Sequence, residues 1–305
     1  MIQKRIFIDG EAGTTGLGIR QRLAARTDIE IVSIGNQLRK NADAKRELMA
    51  SVDLVILCLP DEAAKEAALL ADGLGANAPK LLDASSAHRV APGWTYGFPE
   101  LAPGQPQAIA DARRVSNPGC HATGAVALLR PLVDARLLPP AHPLSITSVS
   151  GYSGGGKSMI AEHEAGGAPA FELYGLALAH KHIPEIEEHA RLSRAPIFVP
   201  SVGSFAQGML VSIPLHLDGI AGAPSAARLA EALAAHYAGS RFVSVAPAIE
   251  SRLAPEALNG SNLMELRVFA HASRPMAVLV ARLDNLGKGA SGAAVQNMDL
   301  MLGLG

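Results

Sequence analysis

Apolar positions along the chain fall into two rhythms. The runs Arg5-Ile6-Phe7-Ile8-Asp9, Ile29-Glu30-Ile31-Val32-Ser33-Ile34, Asp53-Leu54-Val55-Ile56-Leu57-Cys58-Leu59 and Lys80-Leu81-Leu82-Asp83 are short and nearly unbroken. Such runs suit strands of a parallel sheet covered on both faces. Between them Leu17, Ile19, Arg20, Leu23 and Ala24 keep helical spacing, Arg39 to Glu47 reads as a charged segment, and Glu62 to Leu74 as an alanine-rich helix after Pro60. Strands alternating with helices predict right-handed crossovers and an α/β, Rossmann-like doubly wound sheet.

The pattern changes near residue 115. Ser116-Asn117-Pro118-Gly119-Cys120 precedes an apolar helix from about Ala122 to Ala135. Leu144 to Ser150, Ile197 to Val199, Gly208 to Leu217 and Met264 to Phe269 follow as strands of a more antiparallel sheet, with a helix over Ser225 to Tyr237. Val278 to Leu283 is a last strand, before Gly287-Lys288-Gly289-Ala290-Ser291-Gly292 and a final helix. The expected organisation is a dinucleotide-binding domain over 1–118 plus 285–305 and an α+β catalytic and substrate domain over 119–284, with no internal repeat.

Bulk composition narrows the classes. The 305 residues, 49% hydrophobic and 18% charged, suffice for two globular domains. With 27 basic and 28 acidic residues and no basic stripe, nothing points to nucleic acid or an anionic membrane surface. No stretch approaches the ~20 apolar residues that span a bilayer. Two cysteines, Cys58 and Cys120, give no disulfide framework and no zinc spacing, so no metal is expected. With no signal-peptide core at the start, a cytoplasmic location is expected.

Gly10-Glu11-Ala12-Gly13-Thr14-Thr15-Gly16 lies between a strand and a helix. Glycine serves where the chain turns sharply and where a pyrophosphate approaches backbone, and the helix start offers N–H groups and a positive dipole end. An NAD site usually carries an acid at the end of the second strand. Here Ser33-Ile34-Gly35-Asn36 has none, and Arg39 and Lys40 follow, which favours NADP(H).

Cys120 stands directly after Asn-Pro-Gly and before a helical run. Helix-start N–H groups stabilise a thiolate and can hold the oxyanion formed when it attacks a carbonyl. Cys58, inside an apolar strand, fits an inert buried thiol instead. A thiolate nucleophile needs an acid–base partner. Leu178-Ala179-His180-Lys181-His182-Ile183-Pro184-Glu185 supplies two histidines, on one side of the chain if the segment is extended. Zinc is a poor rival there, because further ligands at the right spacing are missing. Ser153-Gly154-Gly155-Gly156-Lys157 reads as a loop that brings backbone and an ammonium to an anion. Asp83-Ala84-Ser85-Ser86-Ala87-His88-Arg89 follows the fourth strand, where Arg89 can grip a phosphate.

Five segments occur in order: residues 10–16, Ser116–Cys120, Val-Ser-Gly-Tyr-Ser-Gly-Gly-Gly-Lys at 149–157, His-Lys-His-Ile-Pro-Glu at 180–185 and Asp-Asn-Leu-Gly-Lys-Gly-Ala-Ser-Gly-Ala-Ala-Val-Gln-Asn-Met at 284–298. Together they resemble the N-acetyl-gamma-glutamyl-phosphate reductase family, in its shorter, type 2 subgroup. The resemblance implies NADPH-dependent reduction of an acyl phosphate to a semialdehyde in arginine biosynthesis. The long apolar strands of the second domain lead us to expect a homo-oligomer, dimer or tetramer, as is usual for such folds. The resemblance puts Cys120 on the nucleophile and His180/His182 on the acid–base and substrate-contact positions, without saying which histidine serves the thiol. It implies Arg89, Asn117, Lys157 and Glu185 for substrate. For cofactor it implies Gly10, Gly13, Thr14, Thr15, Gly16, Arg39, Ser86, Asn285 and Gly287, and it returns the last helix to the first domain. His121 departs from the family, which more often has an aromatic residue after the cysteine. Aspartate-semialdehyde dehydrogenase shares the fold plan and chemistry and is the nearest alternative. A non-catalytic nucleotide-binding redox sensor is the alternative from another class, and a thiol hydrolase leaves the glycine turn unexplained.

Overall fold

A computed structural model describes residues 3–304, in two units. The first holds the chain up to Pro99, Gly104–Pro118 and the stretch from Ala290 on. Its elements run β1 (Lys4–Asp9), α1 (Thr14–Leu23), β2 (Ile29–Val32), α2 (Ala42–Met49), β3 (Leu54–Leu57), α3 (Asp61–Asp72), β4 (Lys80–Asp83), β5 (Thr95–Tyr96), α4 (Gln105–Asp111) and β6 (Arg114–Ser116). The strands form one parallel sheet in the order β2-β1-β3-β4-β6-β5. Register aligns Asp9 with Leu57, Leu57 with Asp83, and Asp83 with Ser116. The carboxyl ends of four strands therefore stand level, and the loops leaving them line one edge, where ligands bind in doubly wound folds.

The second unit comprises Glu100–Pro103 and Gly119–Gly289. It contains α5 (Cys120–Asp134), β7 (Ser145–Gly151), α6 (Gly156–Glu164), β8 (Phe171–Leu173), α7 (His182–Ala190), β9 (Ile197–Gly203), β10 (Met209–His216), α8 (Ala226–His236), β11 (Val243–Val245), β12 (Met264–Ala270) and β13 (Met276–Leu283). The sheet order is β11-β12-β13-β10-β7-β9-β8. It is mixed: β7 with β9 and β11 with β12 are parallel, the other pairs antiparallel. Every residue of α5 from His121 to Val133 is buried, as expected of a helix that is apolar all round. Gly124 lets it approach the sheet, since a Cβ there would come within 2.7 Å of Val211 Cγ2.

A π-helical turn at Gly287–Ser291 leads into α9 (Gly292–Leu302), which belongs to the first unit. Alternating strand residues divide that unit's core between the two faces of the sheet. Ile6, Ile8, Leu54, Ile56, Leu82 and Val115 pack with α1, α4 and α9 through Ile19, Ile109, Met298 and Met301. Phe7, Val55, Leu57 and Leu81 pack with α2 and α3 through Met49, Ala64, Ala67 and Ala71.

Three local expectations need correction. The charged stretch after residue 39 holds a helix, α2, started by Asn41, whose side chain accepts from Ala44 N at 2.9 Å. Only Met49 of that helix is buried, so it carries almost no apolar stripe. Ser153–Lys157 is a 3₁₀ turn running into α6 rather than an open loop, with Gly156 at φ +75°. The His180–Glu185 segment is not extended, because His182 opens α7.

Candidate active site

In the first unit the glycines after β1 are dictated by contact. Gly10 has φ +91°, and a Cβ there would lie 2.2 Å from Cys58 O at the end of the neighbouring strand. At Gly16 a Cβ would meet Gly10 O at 2.6 Å, so this glycine seats α1 against the turn. Gly13 N donates to Gly10 O at 2.9 Å and caps α1 without offering a side chain to its first N–H groups. Thr14 and Thr15 are the first two residues of that helix, whose first turn has no acid. A backbone cradle ending on an uncapped helix start fits a diphosphate.

Beside it, Ser33, just past β2, donates to Glu11 Oε2 at 2.9 Å, and Arg20 bonds both Glu11 and Ser33. The Glu11 carboxylate that these bonds bring to this corner is thus neutralised by a guanidinium. Arg39 lies exposed in the following turn. Ser86 donates to Asp61 at the start of α3 through both its N–H and its hydroxyl. Asp83, fully buried, accepts from Ser85 and pairs with His88 Nδ1 at 2.6 Å, and His88 stacks on Trp94. Arg89 Nε donates to Asn117 O at 3.1 Å; the Asn117 amide donates to Ala290 O and accepts from Asn297.

In the second unit Cys120 is the first residue of α5, two residues earlier than its apolar pattern begins. The cap is Gly119, with no side-chain cap, and the first i→i−4 bond is Thr123 N to Gly119 O at 2.8 Å. The N–H groups of Cys120, His121 and Ala122 therefore precede the helical ladder, at its positive end. Glu185, 1% exposed in the first turn of α7, accepts Gly119 N at 2.8 Å and ties α7 to the cysteine's helix.

His121 gathers the imidazoles. Its ring centroid lies 5.9 Å from that of His180 and 5.5 Å from that of His182, and those two are 4.6 Å apart. His180 Nδ1 accepts His182 N–H at 3.1 Å, so a neutral His180 carries its proton on Nε2. His182 is buried on the first position of α7. His121 is bonded at both nitrogens, Nδ1 to Ser148 Oγ at 2.7 Å and Nε2 to the Tyr174 hydroxyl at 2.8 Å. Burial first, and the neighbouring His180 second, lower its pKa to about 3, so the ring is neutral. Burial, and then the Cys120 charge, push the Tyr174 hydroxyl above its ordinary value.

The stretch after β13 is held by Asp284, itself fully buried. Its carboxylate accepts from Leu286 N, Gly260 N and Gln207, and its carbonyl accepts from Gly287 N and Gly289 N. A Cβ at Gly287 would lie 1.9 Å from Ser261 O, and one at Gly289 would lie 2.8 Å from Cys120 Cβ. This turn is therefore pressed against the cysteine. Lys288 beside it is 1% exposed and bonds Glu100 at 2.8 Å. Asn285 accepts Gly208 N and donates to Ser153 Oγ, so its amide joins three loops. Lys157 is exposed near the start of α6.

The second unit thus collects Cys120, His180, His182, Glu185 and the glycine turn at 287–289, while the first collects the Gly10–Gly16 cradle, Ser86, Arg89 and Asn117. Residue reading missed Arg20, Asp83, His88, Ser148, Tyr174 and Asp284. Of these, Ser148 and Tyr174 are the hydrogen-bond partners of His121, the position singled out after the cysteine. Among the described residues no helix is long and apolar enough to cross a membrane, and no three His, Cys, Asp or Glu side chains are placed so that they could hold a metal ion.

Comparison with known proteins places both units. Residues 5–112 match the family model of the semialdehyde dehydrogenase NAD binding domain, and 120–285 that of the semialdehyde dehydrogenase dimerisation domain. The crystal structure of aspartate semialdehyde dehydrogenase II from Vibrio cholerae, complexed with ASA, superposes with a TM-score of 0.74 over 99% of both chains at 14% identity, a likeness of fold. N-acetyl-gamma-glutamyl-phosphate reductases are far nearer in sequence: the Brucella anthropi protein is 54% identical over 99% of each chain. That of Brucella ovis is 53% identical over 99% of this chain and all of its own. With that identity across its length, the chain belongs to the N-acetyl-gamma-glutamyl-phosphate reductase family.

Proposed function

We propose that this chain reduces N-acetyl-glutamyl phosphate to N-acetyl-glutamate semialdehyde through a thioester on Cys120, as a step of arginine biosynthesis. The observation that carries the reading is the placing of Cys120 as first residue of an uncapped helix, next to a packed cluster of three imidazoles. The Cys120 thiolate attacks the acyl carbon; the C–S bond forms as the C–O bond to phosphate breaks. N–H groups at the start of α5 receive the negative oxygen of each tetrahedral species. A bound reduced nicotinamide supplies the hydride.

His182 is the acid–base residue in this reading, holding the thiol proton when the sulfur attacks and supplying the proton as the aldehyde leaves. His180 is the donor to substrate in this reading: with Nδ1 accepting a backbone N–H, the hydrogen of the neutral ring is on Nε2. Arg89 and Lys157 meet the phosphate, and Asn117 and Glu185 hold the site's backbone through the bonds described above.

NADP(H) is the proposed cofactor. Arg20 bonds Ser33 just past β2 and neutralises Glu11, and Arg39 and Lys40 are exposed in the turn that follows, an environment for a 2′-phosphate rather than a ribose diol. Gly10, Gly13, Gly16 and the start of α1 would hold its diphosphate, while Ser86, Asn285 and Gly287 would shape the remainder of its site. The chain is further proposed to form a cytoplasmic homo-oligomer. Its dimerisation-domain match and the exposed Phe171, Leu173, Leu176 and Leu178 along β8 and the following segment support this.

The test is phosphate-dependent reduction of NADP⁺ by N-acetyl-glutamate semialdehyde, with aspartate semialdehyde in parallel. Turnover with the acetylated aldehyde alone is expected. Preference for the aspartate compound, or cofactor binding without oxidation of either aldehyde, overturns the reading.

A further inference from the structure

Every residue from Gly35, just past β2, to Asp43, in the first turn of α2, is exposed. Burial of apolar surface therefore does little to place this stretch. Leu38 N donates to Gly35 O and Asn41 N to Leu38 O, both at 2.8 Å, which shapes a turn without tying it to the sheet. A charge pair supplies the tie. Lys45, one turn into α2, has its Nζ 2.6 Å from Asp9 Oδ2, with the two side chains 17% and 5% exposed. Asp9 is the last residue of β1, and its carbonyl accepts Cys58 N at 2.8 Å, so its place at the sheet edge is fixed. Alternation along β1 turns its side chain to the face of Phe7, which α2 and α3 cover.

A carboxylate this buried needs a partner, and a charged hydrogen bond out of water is stronger than one at the surface. The second ion pair of the helix, Arg46 with Asp43, is largely exposed and contributes little. Helix α2 is thus pinned by Lys45 near its start and by the buried Met49 at its end. Asn41, whose side chain caps the helix at Ala44 N, passes that constraint back to the residues just before it, Arg39 and Lys40.

We propose that Asp9 and Lys45 are positioning residues for cofactor choice: their pair fixes the start of α2 and with it the turn that carries Arg39 and Lys40. This rests on the NADP(H) reading above, in which those cations meet a 2′-phosphate. Cations already held in place lose less freedom when the phosphate arrives than cations on a loose chain. The diphosphate, common to both nicotinamide cofactors, is left to the Gly10–Gly16 cradle. The pair therefore acts on the difference between NADPH and NADH and not on the binding that they share.

The measurement is the dissociation constant of each reduced cofactor, read by nicotinamide fluorescence on the intact protein, with the melting temperature taken alongside. Lys45→Met and Asp9→Asn are each expected to weaken NADPH binding about tenfold, the size of one well-placed charged hydrogen bond, and to leave NADH within about twofold. The double variant is expected to be no worse than either single one, since one pair is lost in all three. Lys45→Arg, which keeps the charge, retains most of the preference. Arg39→Ala costs about tenfold in NADPH binding in the parent and far less once Lys45 is Met. The proposal is overturned if Lys45→Met weakens NADPH while Asp9→Asn does not, because Lys45 would then meet the phosphate itself. It is equally overturned if both cofactors weaken together, if only the melting temperature moves, or if Arg39→Ala costs the same in both backgrounds. Should Lys45→Met not fold around an unpaired carboxylate, the double variant, which removes both charges, decides in its place. A parent without preference for NADPH overturns the cofactor reading and this inference together; a parent preference that every variant keeps overturns this inference alone.

Discussion

Cys58 and Cys120 place the same thiol at the end of a strand and at the start of a helix. Cys58 follows β3 in the first unit, where burial and then the nearby Asp83 and Asp9 carboxylates push its thiol up to about 12. It is a spacer, and its carbonyl defines how closely Gly10 must approach. Cys120 begins α5, at the positive end of the helix, with a glycine turn pressed against its Cβ. The lesson is that burial and local field, not residue type, decide which sulfur reacts.

The sharpest way to break this comparison is to exchange the sulfurs one at a time. Cys120→Ser is expected to cut turnover by more than about 10³-fold while cofactor binding, read by fluorescence titration, is kept. Cys58→Ser is expected to leave kcat close to that of the parent. Equal losses from both would remove the distinction. Next in size, His182→Gln is expected to lower kcat by about 10²-fold or more, and His180→Gln to act chiefly on KM; the reverse pattern would exchange their roles. Gly289→Ala forces a methyl to within 2.8 Å of Cys120 Cβ, so either the turn or the cysteine must shift. A loss of about 10²-fold in kcat with little change in melting temperature is the expected result.

The smallest effect concerns stability. The pKa of His121 is about 3 in the folded chain and about 6.5 when unfolded. Between those values the unfolded chain binds the proton and the folded chain does not, so stability falls as pH drops from 6.5 toward 3. The slope is about 1.4 kcal/mol per pH unit at most from this group. Urea unfolding at several pH values is expected to show a shallower acid slope in His121→Phe. An unchanged slope would mean that the ring charges without cost in the folded state.

The doubly wound sheet was legible because its strands are covered on both faces and so read as unbroken apolar runs. Helix α2 was not, since one buried methionine leaves it no stripe to detect. Likewise, α6 begins within glycines that look like an open loop. The helix start at Cys120 was visible in the Asn-Pro-Gly that introduces it, although the helix begins at the cysteine itself and not two residues on. The partners of His121 were beyond reach, because Ser148 and Tyr174 lie 27 and 53 residues away and meet it only once β7 and β8 join their sheet. Asp284 was hidden for another reason. Its carboxylate is satisfied largely by backbone N–H groups, which leave no mark in residue identities.

Helix α9 fills one face of the first core with Ala294, Met298 and Met301, yet it is made after the whole of the second unit. A ribosome therefore releases β1, β3 and β4 long before the side chains that cover them exist. During synthesis that sheet face must wait, shielded by α1 and α4 alone, while α5 through β13 are free to assemble. Folding order in this chain is consequently expected to run against sequence order, with the unit begun first completed last.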